Sequence, residues 1–228
     1  MAAPEKITSG VYRVDAIGLK NAINILLLQN DDGWTLVDTG VESSVERIKG
    51  ALQSLGSGPE DLKRIFITHQ HDDHTGGLSG LLEWAPRAEV GASAHEAEVV
   101  SGARRYDPAS NPVLRYLSRN AEPPGVTVGK VLREGDLVSG FRLISTPGHI
   151  SLLRDEDGLL LTADAFGSLP RGIRVGVLKA FCADPPLAKR SAAKLLAEDF
   201  STVVMGHGKV LQTNAKERLR AAVERCRY

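Results

Sequence analysis

Apolar positions in this chain fall into short extended blocks separated by stretches in which they recur at helical spacing. Ile7 to Val14, Asn24 to Gln29 and Gly33 to Val37 read as strands, the last two joined as a hairpin by the turn signal Asn30-Asp31-Asp32-Gly33. Ser43 to Leu55 places Val45, Ile48, Leu52 and Leu55 on one helical face, with a serine available as N-cap and Gly56 beyond the end. Ile65-Phe66-Ile67 reads as a buried strand, and Leu78, Leu81, Leu82 and Trp84 open a core-facing helix after Gly76-Gly77, two glycines that let the backbone pass close to a bound group. Ala88 to Ala92, followed by a helix over Ala94 to Val100, repeats the strand-then-helix order.

Residues 102–125 break the pattern, with four prolines, four arginines and two tyrosines. A long irregular segment is commonly a surface loop or a lid, so Tyr106, Arg115, Tyr116 and Arg119 either touch substrate or belong to an amphipathic turn packed down by Val113, Leu114 and Leu117. Strands return at Val126 to Leu132, Asp136 to Val138, Phe141 to Ser145, Ser151 to Leu153 and Leu159 to Thr162, a second run that mirrors the first without a residue-level repeat. Residues 165–181, with Gly167, Gly172 and Gly176, read as a loop at a site edge. Asp184-Pro185-Pro186 reads as a helix N-cap with proline in the first turn, ahead of a helix over Leu187 to Glu198, a strand over Thr202 to Met205 and a closing helix over Ala215 to Arg225.

At 228 residues and 42% hydrophobic content the chain can bury its own core, and a single domain over 1–228 is expected. The 28 basic and 28 acidic residues balance, which leaves no electrostatic footprint for nucleic acid or an anionic membrane. No apolar run approaches the roughly 20 residues needed to span a bilayer, and the start Met1-Ala2-Ala3-Pro4-Glu5-Lys6 lacks a charged-then-apolar leader, so a cytoplasmic location is expected. Cys182 and Cys226 lie far apart and make no disulfide framework; Cys182 is read as a buried structural thiol in preference to a reactive one.

The chemistry concentrates in Thr68-His69-Gln70-His71-Asp72-Asp73-His74, which holds three of the six histidines. An extended strand end points alternate residues the same way, so these imidazoles and a carboxylate can face one volume. Buried together without a cation they would leave unpaired polar groups and repelling charges, and histidine with aspartate is a donor set that zinc prefers. His95, at a helix start outside the motif, reads as a polar cap or surface residue.

This His-x-His-x-Asp-His motif behind a short apolar strand resembles the metallo-β-lactamase superfamily, and four further points agree in order: Asp38 in Leu36-Val37-Asp38-Thr39-Gly40, His149 in Thr146-Pro147-Gly148-His149, Asp164 in Leu161-Thr162-Ala163-Asp164, and His207 between Gly206 and Gly208. The resemblance implies an α+β fold, a four-layer αβ/βα sandwich with metals at one sheet edge. It also implies His69, His71 and His149 on one metal, Asp73, His74 and His207 on a second, Asp164 bridging, and Asp38 bracing a ligand histidine from behind. His149 is placed in a loop and Asp164 at a strand end, and Ala163 stands where relatives commonly carry glycine.

Two Zn²⁺ ions are the implied cofactors, with iron or manganese compatible with the same donors. Zinc lowers the pKa of bound water from 15.7 to about 7, so a hydroxide is available at neutral pH. Asp73 would orient it, and hydrolysis of an ester, thioester or lactone of a small molecule is the implied reaction. Among family subtypes, hydroxyacylglutathione hydrolases share the ligands but carry a helical extension that the short stretch after His207 does not supply; secreted β-lactamases carry an export signal, and the nucleases an inserted domain and basic surfaces. Small hydrolases, including acyl-homoserine lactonases, remain. The alternatives are a persulfide dioxygenase with a single iron and a β-lactam hydrolase. A homodimer would be unsurprising.

Overall fold

The first predicted strand is a hairpin: β1 (Glu5–Thr8) turns at Ser9-Gly10 into the antiparallel β2 (Val11–Asp15). The computed structural model describes residues 3–146, 149–169, 172–176 and 184–226, so Pro147, Gly148 and Cys182 lie outside the described residues. The chain divides into two compact units, Met1–Tyr106 with Glu122–Leu132, and Asp107–Ala121 with Arg133–Tyr228.

In the first unit, β3 (Asn24–Asn30) and β4 (Gly33–Val37) form the expected hairpin, closed at Asn30 opposite Gly33. β5 (Leu62–Phe66), β6 (Glu89–Ser93) and β7 (Lys130–Leu132) then add in parallel, giving one seven-stranded sheet in sequence order. Parallel neighbours need crossovers. These are supplied by α1 (Val45–Ser54), by α2 (Asp72–Thr75) with α3 (Leu78–Trp84), and by α4 (Ala94–Val100).

Ile48 and Leu52 of α1, Leu78 and Leu81 of α3, and Val100 of α4 are buried with Ile25, Leu27, Leu36 and Ile65 of the sheet. Each such aliphatic side chain removed from water contributes about 1.5–3 kcal/mol. Leu26 and Leu28, on the other face of β3, are buried as well, which is why that strand reads as a continuous apolar run.

The serine cap expected at the start of α1 is not made. A 3-10 turn over Glu42–Ser44 leads into the helix, and Ser44 is itself helical, with its backbone N–H already donated to Val41 O (2.8 Å). Val126 and Val128 pack on the core, yet the ladder begins only at Lys130, so β7 is shorter than expected.

In the second unit, α5 (Pro112–Ser118) is capped by the Asn111 side chain, which accepts from Val113 N and Leu114 N. Leu114 is half-buried, but Val113 and Leu117 do not pack the helix down, being 64% and 69% exposed. Strands β8 (Leu137–Val138), β9 (Phe141–Thr146), β10 (His149–Arg154) and β11 (Leu159–Leu161) form an antiparallel meander.

After a 3-10 turn over Ala163–Ala165, β12 (Phe166–Leu169) and β13 (Gly172–Val175) make an antiparallel hairpin where an irregular loop was expected. Glycines inside both strands hide their alternation, because glycine is depleted from strands. Asp184 caps α6 (Pro185–Leu195) as the sequence predicts, its carboxylate accepting from Leu187 N at 2.9 Å. β14 (Thr202–Val204) pairs in parallel with β11, and α7 (Ala215–Arg225) closes the chain. The sheet order is β14-β11-β10-β9-β8. Leu195 of α6 and Leu219 of α7 are buried with Ile144, Leu153, Leu160 and Val203. Among the described residues no helix is long and apolar enough to cross a membrane.

Candidate metal centre

The motif begins where β5 ends. Ile67, Thr68, His69 and Gln70 follow it buried but outside any strand, with a bend at Gln70, and the chain enters the single-turn helix α2 after His71. None of His69, His71, Asp73 and His74 lies within a strand, and His71 is the residue that precedes the helix. Asp73 and His74 are delivered by the helical turn, a correction to the expectation that one strand end presents all of them.

Within this unit the rings still converge. The His69 and His71 centroids are 4.8 Å apart, edge to face, those of His69 and His74 are 4.0 Å apart, and Asp73 Oδ2 lies 3.8 Å from His74 Nε2.

Gly76 and Gly77 do not open space for a bound group. A Cβ at Gly77 would come within 2.5 Å of Thr39 O, and one at Gly76 within 3.0 Å of Val41 Cα, so both glycines let α2 pack against the Thr39–Val41 segment. Thr39 N and Thr39 Oγ1 both donate to His74 O at 2.8 Å, locking the two segments together.

Asp38 organises the donors. It follows β4 in the left-handed region (φ 62°), which aspartate tolerates better than most residues, and its N–H donates to Phe66 O at 2.8 Å. Its side chain is buried and accepts from Thr68 N (2.8 Å), from Thr68 Oγ1 (2.8 Å) and from His74 Nδ1 (2.7 Å).

A carboxylate offers only lone pairs, so His74 carries its proton on Nδ1 and presents Nε2 as a bare donor. The Thr68 hydroxyl has one proton, and Asp38 takes it. Thr68 Oγ1 must then accept from His69 Nδ1, 3.0 Å away, which leaves His69 Nε2 bare as well. One buried carboxylate thus sets two imidazoles in the tautomer that binds a cation, the arrangement in which histidine ligands are normally held. Thr68 and Thr39 were not picked out in the sequence; the available signal for Thr68 was a hydroxyl residue lying directly between an apolar run and the first histidine.

In the second unit, His149 is the first residue of β10, paired with Thr146, and not a loop residue. Thr146 Oγ1 donates to its carbonyl at 3.0 Å. Asp164 is buried in the 3-10 turn after β11. Ala163, immediately before it, has φ 44°, a conformation that glycine adopts without strain, which accounts for the glycine common there in the resembled family. His207 follows β14 and lies with its Nε2 3.3 Å from Asp164 Oδ1. Its carbonyl accepts from Ser168 N (2.8 Å), and it bridges to Gly167 of β12. Gly208 has φ 114°, and a Cβ there would come within 2.2 Å of Ser168 Cβ, so only glycine fits.

Of the seven predicted donors, the first unit brings His69, His71, Asp73 and His74 together and the second unit brings His149, Asp164 and His207 together, and these side chains could hold metal ions. All are nitrogen or oxygen donors, which fits a divalent ion of the zinc, iron or manganese type. His95 sits half-buried in the first turn of α4, where Ser93 and not His95 is the cap. Tyr106 is partly buried; burial raises its phenol above the ordinary value, opposed by a hydrogen bond with the Thr75 side chain and reinforced by Asp72. Tyr116 is exposed beneath the Arg119 guanidinium, 3.7 Å from the ring centroid.

Residues 19–207 match the family model described as Metallo-beta-lactamase superfamily. The chain is 30% identical over 219 residues to the uncharacterized protein YobT of Bacillus subtilis, covering 90% of this chain and 91% of that one. It is 31% identical over 174 residues to an N-acyl homoserine lactonase of a Bacillus species, covering 61% of this chain and 62% of that protein. A solved metallo-beta-lactamase variant from Cronobacter sakazakii superposes with a TM-score of 0.67 at 25% identity, over 91% of this chain and 81% of that one.

Proposed function

Since the chain belongs to the metallo-β-lactamase superfamily and has its fold, we propose that it is a zinc-dependent hydrolase that cleaves an ester, thioester or lactone bond of a small molecule at a two-ion centre. The observation that carries this reading is the hydrogen-bonded unit of Asp38, Thr68, His69 and His74, which fixes two imidazoles with Nε2 available. The likeness to an N-acyl homoserine lactonase supports a cyclic or acyl ester as the substrate class.

On the family resemblance, His69, His71 and His149 would hold one ion and Asp73, His74 and His207 the other, with Asp164 shared between them. When bound, such ions supply Lewis acidity and water acidified to near neutrality. Asp73 orients the attacking water through its partly exposed carboxylate and holds the proton it gives up. Asp38 positions His74 without touching substrate. A serine or cysteine nucleophile has no part in this scheme.

The test is turnover of a panel of lactones, thioesters and β-lactams by zinc-loaded protein, beside metal analysis of protein purified without added metal. Zinc at up to two ions per chain, with hydrolysis lost at least a thousandfold in His71→Ala, is the expected outcome. Unchanged turnover in His71→Ala would remove the site from catalysis. A single iron per chain with oxygen consumed and sulfite formed from a persulfide would replace the hydrolase by an iron oxidoreductase of the same family.

A further inference from the structure

Beside His207 the second unit carries a cation that the hydrolytic scheme does not use. Arg174 of β13 pairs in register with Gly167 of β12, and Gly167 in turn bridges to His207. Residues opposite one another across a ladder point to the same face, so Arg174, Gly167 and His207 form one row, with neighbouring backbones about 4.8 Å apart.

The middle residue has no side chain, and the guanidinium fills that space. A Cβ built on Gly167 would lie 2.7 Å from Arg174 Nη2 and 3.2 Å from both Cζ and Nε. The charged head is thus laid across the row, about one strand spacing from the His207 backbone. Arg174 is partly buried, its Nε is shielded from solvent, and among the described residues neither a carboxylate nor a carbonyl accepts from the guanidinium. Among the described residues this guanidinium thus has fewer partners than a shielded charged donor normally finds.

From this row we infer that Arg174 is a specificity-determining residue that binds a carboxylate on the substrate, so that the enzyme takes acyl compounds bearing a free carboxylate a few atoms from the bond to be cleaved. The inference rests on the hydrolase reading, with His207 beside the reacting carbonyl. A planar fork of N–H donors matches a carboxylate in two parallel hydrogen bonds, and such charge-assisted pairs are the strong ones. The ligand supplies a pairing that the described residues leave open, and recognition is read chiefly in KM because the contact is made equally in ground and transition states.

The test uses metal-loaded full-length protein and two esters that differ in one charge, mono-4-nitrophenyl glutarate and its methyl ester, together with calorimetric titration of glutarate. The wild type should favour the acid in kcat/KM by at least tenfold, and Arg174→Met should collapse that ratio at least tenfold through KM, with Arg174→Lys retaining part of it. Gly167→Ala, which displaces the guanidinium, should lower the ratio too. Equal turnover of the two esters by the wild type, or an unchanged ratio in Arg174→Met, overturns the assignment.

If neither ester is hydrolysed, the hydrolase reading suffers and the glutarate titration still decides Arg174. Affinity at least tenfold weaker in Arg174→Met upholds it, and equal affinities overturn it.

Discussion

Replacing Asp38 separates what holds the fold from what prepares the metal ligands. Asp38→Ala removes the acceptor of three hydrogen bonds and strands two buried donors, Thr68 N and His74 Nδ1. At about 1–3 kcal/mol for each unsatisfied group, that is roughly 2–6 kcal/mol, and holding alanine at φ 62° adds about 1–2 kcal/mol. A loss of this size approaches the whole stability of an ordinary domain, so the alanine variant should unfold at markedly lower urea or temperature even without metal.

Asp38→Asn is the sharper probe. Asparagine keeps the shape, tolerates the left-handed backbone and can still accept from Thr68 N through its carbonyl oxygen. Its amide then faces His74 Nδ1 as a donor, which forces the His74 proton onto Nε2 and takes away the lone pair meant for the cation. The asparagine variant should therefore lose only about 1–2 kcal/mol while its affinity for a divalent ion at His74 falls at least tenfold, the usual size of such outer-shell effects. Chelator competition, with cobalt substitution as a spectroscopic reporter, measures the second quantity. If Asp38→Asn binds metal as tightly as the wild type, or Asp38→Ala melts with it, the tautomer argument is wrong.

Two further outcomes follow from the same hydrogen-bond geometry. Thr68→Val keeps the volume but cuts the relay from Asp38 to His69, so stability should fall by about 1–3 kcal/mol and chelator competition should show roughly tenfold weaker binding at the His69 group; unchanged affinity would show that His69 needs no relay. Glu134 bonds to Ser145 N (2.6 Å) and to Lys194 of α6 (3.0 Å); burial works against ionisation, and these two donors outweigh it and hold the carboxyl below its ordinary value. A depressed folded value means the contribution is full above the unfolded carboxyl's pKa and is lost as pH falls through the folded one. Because the group is exposed, Glu134→Gln should cost no more than about 1 kcal/mol at neutral pH, a gap that urea melts should see close in acid; a gap that widens in acid would contradict the sign.

How far the site could be read in advance depends on how each residue is brought to it. His69, His71, Asp73 and His74 are neighbours in sequence, so their convergence needs no knowledge of the fold, and even mistaking a helical turn for a strand end left the same donors together. Helix boundaries read well where chain chemistry is local: the Asp184 cap, α4 and α7 stand as the spacing predicts.

What register decides could not be read. Val37 opposes Phe66 in the parallel pair of β4 and β5, and just beyond that pair Asp38, one residue on, meets Thr68, two residues on and 30 positions away in sequence. No periodicity encodes that meeting, though it sets the state of two histidines. Arg174 was invisible for a related reason. Its strand is only four residues long and begins with a glycine, and its neighbour across the ladder is a residue with no side chain, so the row it shares with His207 exists only once β12 and β13 are paired. The donors that identify the chemistry are thus local and legible, whereas Asp38, which tunes them, and Arg174, proposed to select the substrate, are set in place by strand pairing. If Arg174 selects substrate as proposed, a single opposed pair such as Gly167 and Arg174 is enough to separate two chains with identical ligand motifs.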